Sequence, residues 1–296
     1  MPVVVTTVCP TPSFLKLLNT DTQQATQWNN IYLPPITARL NALLKGDLVF
    51  TTSDVSIFPY LCGFESQITG ILSPWCGIFT NAELRQYEYA QDLRYYYGIG
   101  DGVDLPSKMM LPFLNSVVGL LFNGPGQTGK AANGSAFAVP DLITAFLNDG
   151  QLTELVAATG VMSDQSPLSG SRIPHDWKYI ASRFVSMRGT VALERLGCQV
   201  KSGVWWNPNL KNETYVRILL NDAVYPVPTC KDGPGKSCLL SEYKDITGKK
   251  LAAAGSLKSR CNVTAAVQMA NGNGTSGKGA SFFTDLGGSW LGSVSP

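Results

Sequence analysis

Three stretches in the first hundred residues repeat apolar side chains every three or four positions and end on glycine, the pattern of amphipathic helices. Pro35-Ile36-Thr37-Ala38-Arg39-Leu40-Asn41-Ala42-Leu43-Leu44-Lys45 opens with a proline suited to a first turn and runs into Gly46, which predicts a short helix over 35–45. Asp54 precedes Val55, Phe58, Leu61 and Cys62, and this spacing predicts a second helix over 54–68 that stops near Gly70. Thr80-Asn81-Ala82-Glu83 spells a capping box, after which Leu84, Tyr87, Leu93 and Tyr97 supply an apolar face that Gly98 closes. No convincing strand precedes these helices, so they read as a helical subdomain.

Farther on, strands and helices alternate. Leu142-Ile143-Thr144-Ala145-Phe146-Leu147 is an apolar run of strand length; Asn148-Asp149-Gly150 follows, then a helical pattern through Leu152, Leu155, Val156 and Ala158 to Gly160. In an α/β sheet such a turn lies at the carboxyl end of a strand, where ligands meet helix N-termini. The same three residues are also ordinary turn and N-cap chemistry, so the motif alone does not decide between a site and a cap. Residues 215–220 and 223–227 flank Asn221-Asp222 as a β-hairpin, and the Gly- and Asn-rich stretch 271–280 reads as a loop.

Seven cysteines and four N-x-[ST] sequons, at Asn133, Asn212, Asn262 and Asn273, point to an oxidising, glycosylating compartment. The segment Met1-Pro2-Val3-Val4-Val5 has no basic leader and too short an apolar run for a signal peptide, so a secreted protein would carry its signal upstream of Met1. A net charge of +2 gives no electrostatic footprint for nucleic acid, and no run approaches the roughly 18 apolar residues of a membrane span. A single histidine and no paired Cys-x-x-Cys argue against a metal site, and no cofactor motif is present; Asn123-Gly124-Pro125-Gly126-Gln127-Thr128-Gly129-Lys130 lacks the preceding strand that a phosphate-binding P-loop needs.

Several segments together resemble the fungal histidine acid phosphatases, the family that includes phytases. They are Leu61-Cys62-Gly63-Phe64-Glu65, Leu72-Ser73-Pro74-Trp75-Cys76-Gly77-Ile78-Phe79-Thr80, Tyr95-Tyr96-Tyr97-Gly98-Ile99-Gly100, Phe146-Leu147-Asn148-Asp149, residues 184–198, and Val216-Arg217-Ile218-Leu219-Leu220-Asn221-Asp222. The resemblance implies an α/β fold, here an incomplete histidine-phosphatase-like sheet domain with a smaller helical subdomain. It divides the chain into residues 1–34 of the α/β domain, a mainly helical subdomain over 35–130, and an α/β domain with C-terminal strands and loops over 131–296. It also implies hydrolysis of phosphate monoesters, phytate among the candidates, through a phosphohistidine.

The nucleophile of that family lies in an Arg-His-Gly-x-Arg-x-Pro segment, which this sequence does not contain. The expectation is a catalytically incompetent, larger C-terminal part of an acid phosphatase; the alternative is a non-catalytic secreted protein that keeps the fold as a binding or structural module. By resemblance Asp149 is the general acid and Asn148 stands where the family has a phosphate-donating histidine. The only literal His-Asp, His175-Asp176, follows Pro174 in a polar loop and is set aside. Arg188 and Arg217 are further candidates, either for the site or for pairing with carboxylates such as Glu194. The resemblance also implies disulfides Cys62–Cys76, Cys230–Cys238 and Cys9–Cys261, leaving Cys198 unpaired, either for want of its partner or as a buried free thiol.

Overall fold

The structure, a computed structural model, describes residues 23–103, 109–131, 133–204 and 207–255. Helices α1 (Gln23–Asn41), α2 (Thr52–Thr69), α3 (Asn81–Ile99) and α4 (Leu111–Asn123) come first, then the small hairpin β1 (Thr128–Lys130) and β2 (Ala136–Ala138). Helix α5 (Asp149–Thr159) precedes a second sheet of β3 (Val191–Val204), β4 (Asn207–Leu220), β5 (Ala223–Val224) and β6 (Cys238–Leu239), and α6 (Leu240–Ala254) follows. The result is a mixed α/β architecture.

Two helices match the pattern closely. In α3 the Thr80 hydroxyl accepts from Glu83 N–H and the Glu83 carboxylate accepts from Thr80 N–H, completing the box read from the sequence. The helix runs through Gly98 to Ile99 and ends at Gly100. In α2 the cap is Thr51, with Asp54 as the reciprocal third residue, and Gly70 terminates the helix in the left-handed conformation at φ 71°.

Two expectations are corrected. The helix predicted over 35–45 extends back to Gln23 and stops at Asn41, with Pro34 and Pro35 inside it. Those prolines forgo two backbone donors, and burial of Trp28, Tyr32, Leu33, Ile36 and Leu40 outweighs the loss. Residues 142–147 form no strand. Leu142 and Phe146 are 80% and 68% exposed, and among the described residues no strand lies beside them to complete a ladder. The stretch 271–280 lies outside the described residues.

The long ladder pairs β3 and β4 antiparallel from Val191↔Leu220 to Val204↔Asn207. Asn221 and Asp222 take φ 46° and 65°, a left-handed pair that turns β4 tightly into β5, as the hairpin signal predicts. A continuous core joins these parts. Trp28 meets Tyr89 edge-on at 5.2 Å, Tyr89 meets Trp177 at 5.3 Å, and Tyr179 links Tyr96 to Phe184. Disulfide Cys62–Cys76 fastens α2 to the following 3₁₀ turn, and Cys230–Cys238 closes the loop before β6.

Candidate active site

Helix α5 begins at the motif singled out in the sequence. Asn148 is its N-cap: Oδ1 accepts from Gln151 N–H at 2.8 Å, and the Gln151 side chain accepts from Asn148 N–H at 3.3 Å. This commits the Asn148 carbonyl oxygen, while its Nδ2 group has no hydrogen-bond partner among the described residues. Asp149 is the first helical residue, exposed, with Oδ1 accepting from Gly150 N–H at 2.8 Å. These two side chains occupy the Gly150 and Gln151 amide donors, and the helix start remains the positive end of its dipole, a favourable place for an anion.

The second half of α3 supplies the neighbouring wall. A methyl built on Gly150 would lie 3.7 Å from Ile99 Cδ1, which sets the end of α3 against the start of α5, and Tyr95 has its phenol raised by burial and by the Asp149 carboxylate. Arg94, the residue before Tyr95, donates through Nη1 to Tyr60 Oη at 2.7 Å and to Gln91 Oε1 at 2.8 Å, and Tyr60 donates to the same Gln91 oxygen at 3.0 Å. Sequence reasoning did not single out Tyr60, Gln91, Arg94 and Tyr95. The available signal was their spacing: Gln91, Arg94 and Tyr95 share one face of a helix whose other face is plainly core.

The two arginines fall differently. Arg217 donates through Nε to Glu194 Oε2 at 2.7 Å, its Nη2 lies 2.7 Å from the same oxygen, and the two residues are register partners across β3 and β4. Arg188 is exposed in a left-handed turn at φ 62°, with no ion-pair partner among the described residues. That turn is close to α5, since a methyl built on Gly189 would lie 3.0 Å from Leu152 Cδ2. Asn221 holds the turn: Oδ1 accepts from Thr190 N–H, and Nδ2 donates to the Arg183 carbonyl and the Ser186 hydroxyl.

His175 lies elsewhere, exposed beside a groove of about 490 Å³ with Arg85, Gln86 and Ile173. Asp176 accepts from the Ser166 hydroxyl at 3.2 Å. Cys198 is a half-buried free thiol on β3. Of the sequons, Asn133 and Asn212 are exposed on the surface, whereas Asn262 and Asn273, like Cys9 and Cys261, lie outside the described residues.

Behind this surface sit three carboxyl groups with an oxygen that finds no hydrogen-bond partner among the described residues: Asp92, Asp101 and Glu154. Burial pushes Asp92 up to about 8, assisted by Glu88 and opposed by the Ala181 N–H, Trp177 and Arg183. Burial likewise raises Glu154, one turn into α5, to about 7. Asp101 rises to about 6 by burial despite the nearby Lys250 ammonium, which burial in turn lowers.

The chain is 31% identical over 239 residues to Acid phosphatase PHO11 of Saccharomyces cerevisiae, covering 80% of this chain and 46% of that protein. It is 30% identical to Phytase PHO112 of Candida albicans, covering 81% and 46%. Its fold superposes on the crystal structure of the phytase from D. castellii with a TM-score of 0.67 at 26% identity, covering 83% of this chain and 48% of that one. The chain thus spans about half the length of the relatives it matches. The family model of the histidine phosphatase superfamily (branch 2) matches residues 5–221, and the chain belongs to that family.

Proposed function

We propose that this chain serves hydrolysis of phosphate monoesters as the leaving-group half of a secreted, glycosylated acid phosphatase, phytase-like substrates included. The observation that carries the reading is the start of α5, where an exposed Asp149 stands beside Asn148, whose Nδ2 group has no hydrogen-bond partner among the described residues, at the positive end of the helix. Asp149, protonated, gives its proton to the ester oxygen as the P–O bond breaks, which turns a poor alkoxide leaving group into an alcohol. Asn148 donates to a phosphate oxygen without the charge that a protonated histidine would add, so phosphate binding leans on arginine. Arg188, exposed beside α5 and without an ion-pair partner among the described residues, is better placed for that than Arg217, which Glu194 already holds.

Transfer of the phosphoryl group requires an acceptor. The only histidine of the chain, His175, sits in a separate loop, so the 296-residue chain by itself is catalytically incompetent. The test assays a chromogenic phosphate ester at acidic pH, first with this chain alone and then with it joined to the Arg-His-Gly-bearing portion of a relative. Expected are no turnover alone and Asp149-dependent turnover when joined. Robust turnover by the chain alone that disappears in His175→Ala would overturn the assignment.

A further inference from the structure

A cavity of about 360 Å³ lies between the end of α3, the first residue of α4, the end of α5 and the last turns of α6. Much of its wall is apolar or small, with Tyr96, Leu111 and Met162 on one hand and Ala157, Ala158 and Ala253 on the other. Two groups of opposite charge share the lining, Asp101 just past α3 and Lys250 on α6. A concave, mostly apolar space with a few polar groups suits a small organic molecule. Ala158 is separated from Asp149 by about 13 Å of helix, so this cavity stands at the opposite end of α5 from the candidate active site.

Neither charge is met within the protein. Asp101 and Lys250 form no direct ion pair among the described residues, and Asp101 Oδ2 is buried without a hydrogen-bond partner among them. Lys250 Nζ donates only to the Ala158 carbonyl, at a stretched 3.4 Å. Gly160, which ends α5 at φ 82°, keeps room for that ammonium, since a methyl built on it would lie 2.5 Å from Lys250 Nζ. Gln165, also in the wall, is already spent: its oxygen accepts from the Lys178 and Tyr179 backbone N–H groups and its nitrogen donates to the Ser166 carbonyl. An orphan buried oxygen is costly, and so are opposite charges withdrawn from water without touching, unless a third molecule stands between them.

We infer that the cavity binds a free α-amino acid with an apolar side chain, its ammonium on Asp101, its carboxylate on Lys250 and its side chain against Tyr96, Leu111 and Met162. Such a molecule carries its cation and its anion on one carbon, so it answers both charges at once and leaves the third substituent for the apolar wall. A simple anion would answer Lys250 and meet like charge at Asp101, and a simple cation would do the reverse. Water would satisfy Oδ2 but would leave the apolar wall unfilled.

The test is isothermal titration calorimetry of L-leucine into the whole chain at pH 7, above the value of about 6 to which burial raises Asp101. Because it reads binding and not turnover, its result is independent of the phosphatase reading. A dissociation constant of about 1 mM or tighter is expected. 4-Methylpentanoate, the same skeleton without the ammonium, and 3-methylbutylamine, the same skeleton without the carboxylate, each bind at least about 10-fold more weakly. Lys250→Met keeps the length of the stem and removes the charge, and it weakens leucine by at least about 10-fold. Ala253→Phe fills the cavity without touching either charge, and it abolishes binding with an unchanged circular dichroism spectrum. No saturable binding up to about 10 mM, an analogue that binds as well as leucine, or an affinity unmoved by Lys250→Met or Ala253→Phe would overturn the inference.

Discussion

The buried carboxylate of Asp92 on α3 accepts a 2.7 Å hydrogen bond from the backbone N–H of Ala181, tying that helix to the turn that leads toward β3. Its second oxygen has no hydrogen-bond partner among the described residues, and burial holds the group up near 8. The folded state therefore keeps a proton that the unfolded chain releases near pH 4. Stability from this group is fully present below pH 4 and is lost as pH rises toward 8, by at most about 1.4 kcal/mol per pH unit. Glu154 and Asp101 act in the same direction, up to about 7 and about 6. Thermal melts should show a higher Tm near pH 4.5 than near pH 8. Asp92→Asn, which keeps an acceptor for Ala181 and supplies a permanent donor, should narrow that difference, and an unaltered pH profile would contradict it.

Glu83 sets the opposite limit. Burial works to raise its carboxyl, yet hydrogen bonds from Arg39 and from Thr80 outweigh this and hold it below its usual range. Arg39 grips both oxygens, at 2.7 and 2.8 Å, and also donates to the Ile78 carbonyl. The folded value is lowered, so this contribution is present above about pH 4.5 and is lost as pH falls through the folded value. Glu83→Ala should cost about 2 kcal/mol, more than Thr80→Ala at about 1, because it removes a bidentate pair as well as half of the capping box. Urea denaturation at pH 6 measures the order, and equal losses would place the energy in the cap alone.

These features differ in how far the sequence exposes them. A capping box is written in four adjacent residues, so α3 was legible from Thr80 and Glu83, and the Asn221-Asp222 turn was legible because a left-handed pair needs such residues. Helix α1 was misread because Pro34 and Pro35 signal a start locally, while the buried row from Trp28 to Leu40 that overrides them depends on packing against α3. The run 142–147 has the apolar pattern of a strand, but a strand also requires a neighbour, which the pattern does not encode. At the site, Asn148 and Asp149 were found from their turn, whereas the Tyr60–Gln91–Arg94 cluster joins two helices and becomes visible only once they are packed.

Cys198 should be the thiol that reports on the native chain. It is half-buried on β3 and free, while Cys62, Cys76, Cys230 and Cys238 are bonded. A maleimide added before reduction should label Cys198 and none of those four, and Cys198→Ser should abolish any covalent dimer that accumulates in air. Peptide mapping without reduction checks this. A labelled Cys62 or Cys230 beside a bonded Cys198 would mean that the disulfides are arranged otherwise.

The sharpest test of Asp149 compares two leaving groups in the joined, active enzyme. An alkyl phosphate releases a strongly basic alkoxide and needs the proton, whereas an aryl phosphate releases a stable phenolate. Asp149→Asn keeps the size of the side chain and leaves the oxygen that accepts from Gly150 N–H in place, so α5 should stay folded. It should slow alkyl phosphates by about 10²–10⁴-fold and aryl phosphates by markedly less. Asn148→His should tighten inorganic phosphate binding chiefly below the roughly 6.5 reference pKa of histidine, where the new side chain is charged. Steady-state kinetics across pH on a matched alkyl and aryl pair reads both. Equal losses on the two substrates would make Asp149 a helix cap, and the proton would have to come from another group at the site.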